Sequence, residues 1–220
     1  MSAAPVMEKE TYFSHKDRMF PHLEDGQIPT EQFLSACQGV ADFVGFLGKA
    51  YAPVKSDISG NVNKVRTKFE INKEQMKYVQ LLVDTDLAEN NGQLGIATEG
   101  LLWLKRGLEF MLELLKLLVR EYRESVADRQ KTENMSKILR EAYEKALKRH
   151  HISCPNSYSK FIVIHAAPYR KDLLKALAYG SDDLEETCVC HIAELLDNFE
   201  SNVSALVNFY YDKKLETRPI

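Results

Sequence analysis

The stretch that decides the fold of this chain reads LLWLKRGLEFMLELLKLLVR and occupies residues 101–120. Its charged side chains recur at intervals that place them in one narrow row of a helix, and the rest of the circumference is apolar. The row consists of Lys105, Arg106, Glu109, Glu113, Lys116 and Arg120. A helix of this kind must be covered by neighbours on most sides, so we predict that a central helix runs over residues 94–122.

Helical periodicity also precedes this stretch, whereas strand-like alternation is scarce. Thr30 has the chemistry of an N-cap for a first helix, and Pro53 suits the first turn of a second. A third helix is predicted over residues 73–87, before the turn signal at residues 90–92.

The same periodicity continues after the central helix. It predicts a helix over residues 133–150, shorter helices on both sides of Pro168, and a last long helix that begins near Ser181 after a Gly180 cap. The predicted fold is all-α, a two-layer sandwich of about eight helices. Its wide apolar faces fit either a close-packed core or two layers that part to admit hydrocarbon chains, with about 0.8 kcal/mol for each buried methylene.

Composition limits the classes of function. Lys and Arg total 29 against 32 for Asp and Glu, a formal charge of -3 that does not match a general nucleic-acid binder. No stretch approaches a charge-free membrane span, and the N-terminus lacks a signal-peptide core, so a cytoplasmic protein is expected. Residues 1–27 are predicted to be a mobile leader, and residues 28–220 a single domain that acts as a monomer.

One polar row stands out from the predicted helices. Asp57, Asn61 and Lys64 follow each other at i, i+4 and i+7, so on a helix they align an acceptor carboxylate, an amide and an ammonium group. Such a set suits a ring of hydroxyls, and Trp103, the only tryptophan, offers a flat face for the C–H side of a sugar. A polar row is more often simply the solvated side of a helix. We find no motif for a metal, a cofactor or a catalytic nucleophile, and therefore expect no enzyme activity.

The residue identities around this row carry a resemblance. The matching segments are Ile28, Thr30, Phe33-Leu34, Leu47-Gly48, Pro53, Ser56 to Lys64, Leu102 to Leu108, Ala146-Leu147 with His151, Ala166 to Tyr169, Asp172 and Leu174 to Leu177, and the similarity runs on to Phe209. In this order they resemble the glycolipid transfer protein family, which moves sphingolipids between membranes without catalysis.

The resemblance implies roles for individual residues. In the family, the residues matching Asp57, Asn61, Lys64 and Trp103 bind the first sugar of a glycosphingolipid, and those matching Asp57 and His151 hold the ceramide amide. Its members enclose the lipid chains between two helical layers. Taken without the resemblance, His150 and His151 read equally well as cationic caps at a helix C-terminus.

The resemblance also separates headgroup classes. In the ceramide-phosphate branch, basic residues replace the asparagine and the tryptophan, because cations are needed to meet a phosphate. This chain keeps Asn61 and Trp103, so the transfer of glucosyl- or galactosylceramide is expected. The alternative is a lipid-sensing or adaptor domain that retains a sphingolipid, including ceramide phosphate, without bulk transfer.

A membrane-contact rim is predicted next to His151, because a peripheral protein needs apolar groups and cations where the lipid passes. It comprises Ile152, Pro155, Tyr158, Tyr169, Arg170 and Lys171. The family's tryptophan just past the histidine is missing, and His165 stands where an apolar or tyrosine residue is common. The rim would meet the membrane surface transiently.

Overall fold

A computed structural model describes residues 9–150 and 166–217. In these residues the regular structure is helical, and only isolated β-bridges occur. The seven α-helices of the described part are α1 (Thr30–Phe46), α2 (Ala52–Ile71), α3 (Val79–Glu89), α4 (Ile96–Glu124), α5 (Ser136–Ala146), α6 (Arg170–Leu177) and α7 (Glu185–Asp212). The all-α class predicted from the sequence is confirmed.

Helix α4 is the centre of the fold. It contacts α2, α3, α5 and α7, and all of its leucines are buried. It begins at Ile96, because the buried carboxylate of Asp86 accepts hydrogen bonds from the backbone N–H and the hydroxyl of Thr98, at 2.9 and 2.6 Å. This carboxylate satisfies donors of the first turn and lies at the positive end of the helix dipole. The predicted central helix is therefore confirmed, shifted by two residues.

The start of α1 differs from the prediction. Thr30 is the first helical residue rather than the N-cap, and its hydroxyl donates to the carbonyl of Met76 at 2.7 Å. Its N–H donates to Lys77, and the N–H of Val79 donates to Ile28. Because residues 76–79 make these contacts, α3 begins at Val79 and not at residue 73. Helix α2 starts as predicted, with Pro53 in its first turn.

The prediction of a mobile leader is wrong for residues 9–27. Tyr12, Phe13 and Phe20 are buried in the core, and the ring of Phe20 stacks on Phe199 with centroids 4.2 Å apart. The hydroxyl of Tyr12 donates to the carbonyl of Gly39 at 2.7 Å. These aromatic side chains bury too much apolar surface for the segment to stay detached.

The C-terminal half closes back onto α4. Helix α5 ends at Ala146 and a 3-10 turn covers Lys148–His150, while α7 begins at Glu185, four residues later than predicted from Ser181. The predicted Gly180 cap is confirmed, since its φ is +94° and its N–H donates to Lys175. Within residues 9–150 and 166–217, none of the helices combines the length and the hydropathy that a transmembrane span requires.

After α7 the chain turns sharply. Lys214 has a φ of +58°, and the N–H of Leu215 donates to the carbonyl of Tyr210 at 2.9 Å. This six-residue hydrogen bond is that of a Schellman cap, which reverses the chain at a helix end. As a result, Glu216 points back to the middle of α4.

Candidate functional site

The predicted polar row lies along one side of α2. Asp57, Asn61 and Lys64 line an open depression of about 400 Å³, together with Pro53, Ser56 and Gly60. Asn61 is buried, whereas Asp57 and Lys64 are exposed. The ammonium of Lys64 donates to Asn61 Oδ1 at 3.1 Å, which leaves the Asn61 amide N–H groups pointing away from that contact. The structure thus brings three of the five predicted headgroup residues together.

The electrostatics of this row centre on Asp57. Although the Asp57 side chain reaches solvent, the surrounding protein excludes part of the water around its carboxyl and raises its pKa, and the nearby Lys64 ammonium only partly opposes the shift. The carboxylate is therefore less well solvated than it would be on a free helix. Such a group gains from hydrogen bonds donated by a ligand, which is what the hydroxyls of a sugar can supply.

Two glycines bring α4 close to this row. A Cβ added to Gly100 would lie 3.2 Å from Lys64 Cβ and 3.5 Å from the Asn61 carbonyl, and one added to Gly107 would lie 3.7 Å from Ile58. Trp103 comes three residues after Gly100 and four before Gly107, so it shares their side of α4. The close approach at the two glycines therefore puts Trp103 on the side of α4 that faces α2. The sequence signal that could have predicted this close approach is the seven-residue spacing of Gly100 and Gly107 in a helix whose other side chains are mostly bulky.

Trp103 itself is 37% exposed, so part of its indole is open to a ligand. The guanidinium carbon of Arg106 lies 4.6 Å from the indole ring centroid, in a cation–π contact. Arg106 also contacts the C-terminal segment. Its Nε and Nη2 atoms donate hydrogen bonds to Glu216 Oε1 at 2.9 and 2.8 Å. Glu216 escaped the sequence analysis because it lies 110 residues from Arg106 along the chain.

His150 is not the cationic cap that its position suggested. Burial lowers its pKa to about 4, and Arg106 and Arg149 add to the effect. Its Nε2 accepts a hydrogen bond from Arg149 Nε at 2.9 Å, so the neutral ring carries its proton on Nδ1. His151, the predicted amide-binding residue, lies outside the described residues.

The neutral, partly buried His150 predicts how stability depends on pH. Its pKa of about 4 in the folded protein is below the unfolded value of about 6.5, so the unfolded chain binds the extra proton first. The contribution of neutral His150 to the free energy of unfolding is fully present above about pH 6.5 and is lost as the pH falls toward 4. We expect His150→Gln to reduce the drop in urea midpoint between pH 7 and pH 4.5. An equal drop in both proteins would contradict this assignment.

The residues of the predicted membrane rim differ in their exposure to solvent. Tyr169 and Lys171 are exposed, but Arg170 is only 2% exposed and cannot face a membrane. Its guanidinium donates to the carbonyls of Thr132 and Arg129 at 3.1 and 3.0 Å. Arg170 therefore joins α6 to the connection between α4 and α5. Ile152, Pro155 and Tyr158, the remaining members of the rim, lie outside the described residues.

Comparison with known families places this all-helical chain among the lipid transfer proteins. The family model described as "Glycolipid transfer protein (GLTP)" matches residues 28–179. The chain belongs to the glycolipid transfer protein family. Because members of this family are lipid transfer proteins, the expectation of a protein without enzyme activity is confirmed.

Individual relatives agree with this assignment. The chain is 32% identical to the glycolipid transfer protein of Danio rerio over 204 residues, covering 89% of this chain and 92% of the relative. It is 34% identical to glycolipid transfer protein B of Xenopus laevis over 193 residues, covering 84% and 88%. It is 36% identical to pleckstrin homology domain-containing family A member 8 of Mus musculus over 178 residues, covering 79% of this chain but 32% of that protein.

Solved structures show the same fold. A solved structure of FAPP2, reported for its selection of simple glycosphingolipids, superposes with a TM-score of 0.79 at 28% identity. The superposition covers 96% of this chain and 100% of that one. The fungal glycolipid transfer protein HET-C2 gives 0.72 at 29% identity, covering 96% and 97%. Mouse ceramide-1-phosphate transfer protein also gives 0.72, covering 94% and 96%, but at 18% identity it supports the fold alone.

Proposed function

We propose that this protein moves glycosphingolipids such as glucosyl- or galactosylceramide between membranes, and that the row of Asp57, Asn61 and Lys64 beside Trp103 holds the sugar. The observation that carries the proposal is the depression on α2 lined by this row, in a chain of the glycolipid transfer protein family. The proposed transfer requires only reversible binding of the headgroup and the chains.

Each side chain would have a separate task. Asp57 accepts hydrogen bonds from sugar hydroxyls, which recovers the solvation that its carboxylate lacks in the free protein. Lys64 orients the amide of Asn61, so that Asn61 presents its N–H donors in a fixed direction. Trp103 stacks on the apolar face of the sugar. His151 is proposed to bind the ceramide amide, as its match to the family motif suggests.

The hydrocarbon chains would enter the apolar interior. Helix α4 is buried on several sides among α2, α5 and α7, so chain uptake requires neighbouring helices to separate from it. Each methylene taken from water contributes about 0.8 kcal/mol, which makes a dry interior a strong acceptor for acyl chains. Because the same chains are equally well accommodated in a bilayer, uptake and release remain reversible.

Membrane contact is proposed for the exposed part of the rim. Tyr169 is 55% exposed and Lys171, two residues later, is also exposed, so an amphipathic ring and a cation are available to an anionic surface. We propose that the protein is cytoplasmic, acts as a monomer and meets membranes only peripherally.

The deciding experiment is vesicle-to-vesicle transfer. Donor vesicles would carry fluorescent galactosylceramide, and acceptor vesicles would carry none; the protein should raise the transfer rate well above the spontaneous rate. Fluorescent phosphatidylcholine serves as the control lipid and should not move faster. Binding of galactosylceramide without accelerated transfer would replace this proposal with a lipid-sensing role. Binding of neither galactosylceramide nor ceramide phosphate would reject both.

The headgroup site also predicts a change of selectivity. In the double variant Asn61→Lys with Trp103→Arg, two cations replace the amide and the stacking plate, so a phosphate gains partners and a sugar loses them. We expect transfer to shift from galactosylceramide toward ceramide phosphate by about tenfold in relative rate. The measurement is competitive transfer from vesicles containing both lipids. Unchanged relative rates would contradict the proposed placement of the headgroup.

A further inference from the structure

The C-terminal segment closes a charge cluster next to Trp103. Lys105 is fully buried, and its ammonium lies 2.7 Å from Glu216 Oε2 and 3.0 Å from Glu109 Oε2. The same Glu216 carboxylate receives two hydrogen bonds from Arg106 through its other oxygen, Oε1. One residue near the end of the chain therefore binds both cations that follow Trp103 in sequence.

Glu216 keeps its charge in this cluster. Burial disfavours the carboxylate, but its ion pairs with Lys105 and Arg106 outweigh burial and hold its pKa below the usual range. Around it lie Arg149, which pairs with Glu109 at 3.4 Å, and the neutral His150, whose Nδ1 is 3.7 Å from Glu216 Oε1. Three cations thus face two carboxylates, and removing Glu216 would double the net positive charge.

Arg106 is the link between this cluster and the headgroup site. Its guanidinium faces the indole of Trp103 at 4.6 Å on one side and is held by the Glu216 carboxylate on another. Among the described residues, Glu216 is the only carboxylate recorded within ion-pair distance of Arg106. Without Glu216, the Arg106 guanidinium that stacks on the Trp103 indole would lack this counter-charge.

We infer that Glu216 is a specificity-determining residue, which holds Arg106 against Trp103 and neutralises it, and so favours neutral over sulfated sugar headgroups. This inference rests on the proposed function, because it concerns the lipid that the Trp103 site receives. An uncompensated cation beside Trp103 would attract a headgroup sulfate, whereas a cation already paired with a carboxylate offers little net attraction. The C-terminal segment thereby sets the charge preference of a site built on α2 and α4.

The first test compares two lipids in one assay. Transfer of galactosylceramide and of 3-O-sulfogalactosylceramide is measured for the wild type, Glu216→Gln and Glu109→Gln. Glutamine keeps the shape of glutamate, and both variants add the same charge, but Glu109→Gln leaves the Arg106–Glu216 pair in place. We expect Glu216→Gln to raise the ratio of sulfated to neutral lipid about threefold or more, and Glu109→Gln to change it much less. Equal shifts, or none, would overturn the inference.

A second variant covers the case in which Glu216→Gln does not fold. Arg106→Gln removes the cation and leaves the carboxylate, so the ratio should move in the opposite direction, toward the neutral lipid. In the double variant Arg106→Gln with Glu216→Gln, the ratio should return close to that of the wild type. A double variant that keeps the Glu216→Gln ratio would show that Glu216 does not act through Arg106, and would reject the inference.

The last readout needs no lipid. Since Trp103 is the only tryptophan, quenching of its fluorescence by iodide and by caesium reports the local potential at the stacking face. We expect Glu216→Gln to increase the iodide-to-caesium quenching ratio, and Arg106→Gln to decrease it. If the wild type transfers neither lipid, the proposed function fails while the quenching result still stands. If the wild type transfers galactosylceramide but both ratios stay unchanged in the variants, only the role of Glu216 fails.

Discussion

Replacing Asp57 by valine should lower the transfer of galactosylceramide by about tenfold or more, because hydrogen bonds to a charged acceptor are worth about 1.5 to 3 kcal/mol each. Aspartate and valine have similar helix propensities, so α2 should keep its structure. The measurement is the initial rate of vesicle-to-vesicle transfer at a fixed protein concentration. Glu70→Gln, on an exposed part of the same helix, is the matched control and should transfer normally.

The same variant should not be less stable. The pKa of Asp57 is raised in the folded protein, so the group favours folding below its unfolded pKa of about 3.9, and this contribution is lost as the pH rises through the folded value. At pH 7, above both pKa values, the ionised carboxylate therefore adds nothing to the stability of the fold. We expect the thermal midpoint of Asp57→Val at pH 7 to equal or exceed that of the wild type. A lower midpoint together with lost transfer would mean that Asp57 supports the fold rather than the headgroup.

Replacing Arg170 by alanine should lower the free energy of unfolding by about 3 kcal/mol, the cost typical of breaking a buried ion pair. Arg170 donates to two carbonyls and to Glu133 Oε2 at 3.2 Å, and its guanidinium lies over the ring of Tyr122. The variant leaves these partly buried acceptors without their charged donor, and it empties the space of a fully buried side chain. Urea unfolding at pH 7 measures the loss.

Lys171→Ala is the control for Arg170→Ala. Lys171 is exposed, so its removal should leave the urea midpoint nearly unchanged, within about 0.5 kcal/mol. The same change should weaken partitioning onto vesicles that contain anionic lipid, because about 1 kcal/mol is lost with each juxtamembrane cation. A stable Arg170→Ala protein that no longer binds vesicles would restore the membrane role that the burial of Arg170 excludes.

One feature of the fold and one feature of the site could be predicted from local sequence patterns. The narrow charged row and the apolar remainder of residues 101–120 were sufficient to identify α4 as the central helix. The i, i+4, i+7 spacing of Asp57, Asn61 and Lys64 was sufficient to align them on α2, where they line one depression. Their binding roles stay predictions, because spacing aligns side chains without identifying what they bind.

Other features could not be predicted in this way. The burial of Lys105 and Arg170 contradicts the usual preference of charged side chains for water, and each has a carboxylate partner from a distant part of the chain. The N-terminal aromatic residues at positions 12, 13 and 20 gave no periodic signal, yet they pack against α1 and α7. Short segments of this kind carry too few residues to show a period.

The sequence by itself determined the helical class, the central position of α4 and the alignment of the polar row, since these depend on the period of a single helix. Only the tertiary structure decided that Glu216 reaches Arg106 beside Trp103, that Arg170 turns inward, and that His150 stays neutral. The physical reason is the range of the interactions. Helical periodicity acts over a few residues, whereas ion pairs, burial and the pKa shifts that follow from them depend on which distant segments the packing brings together.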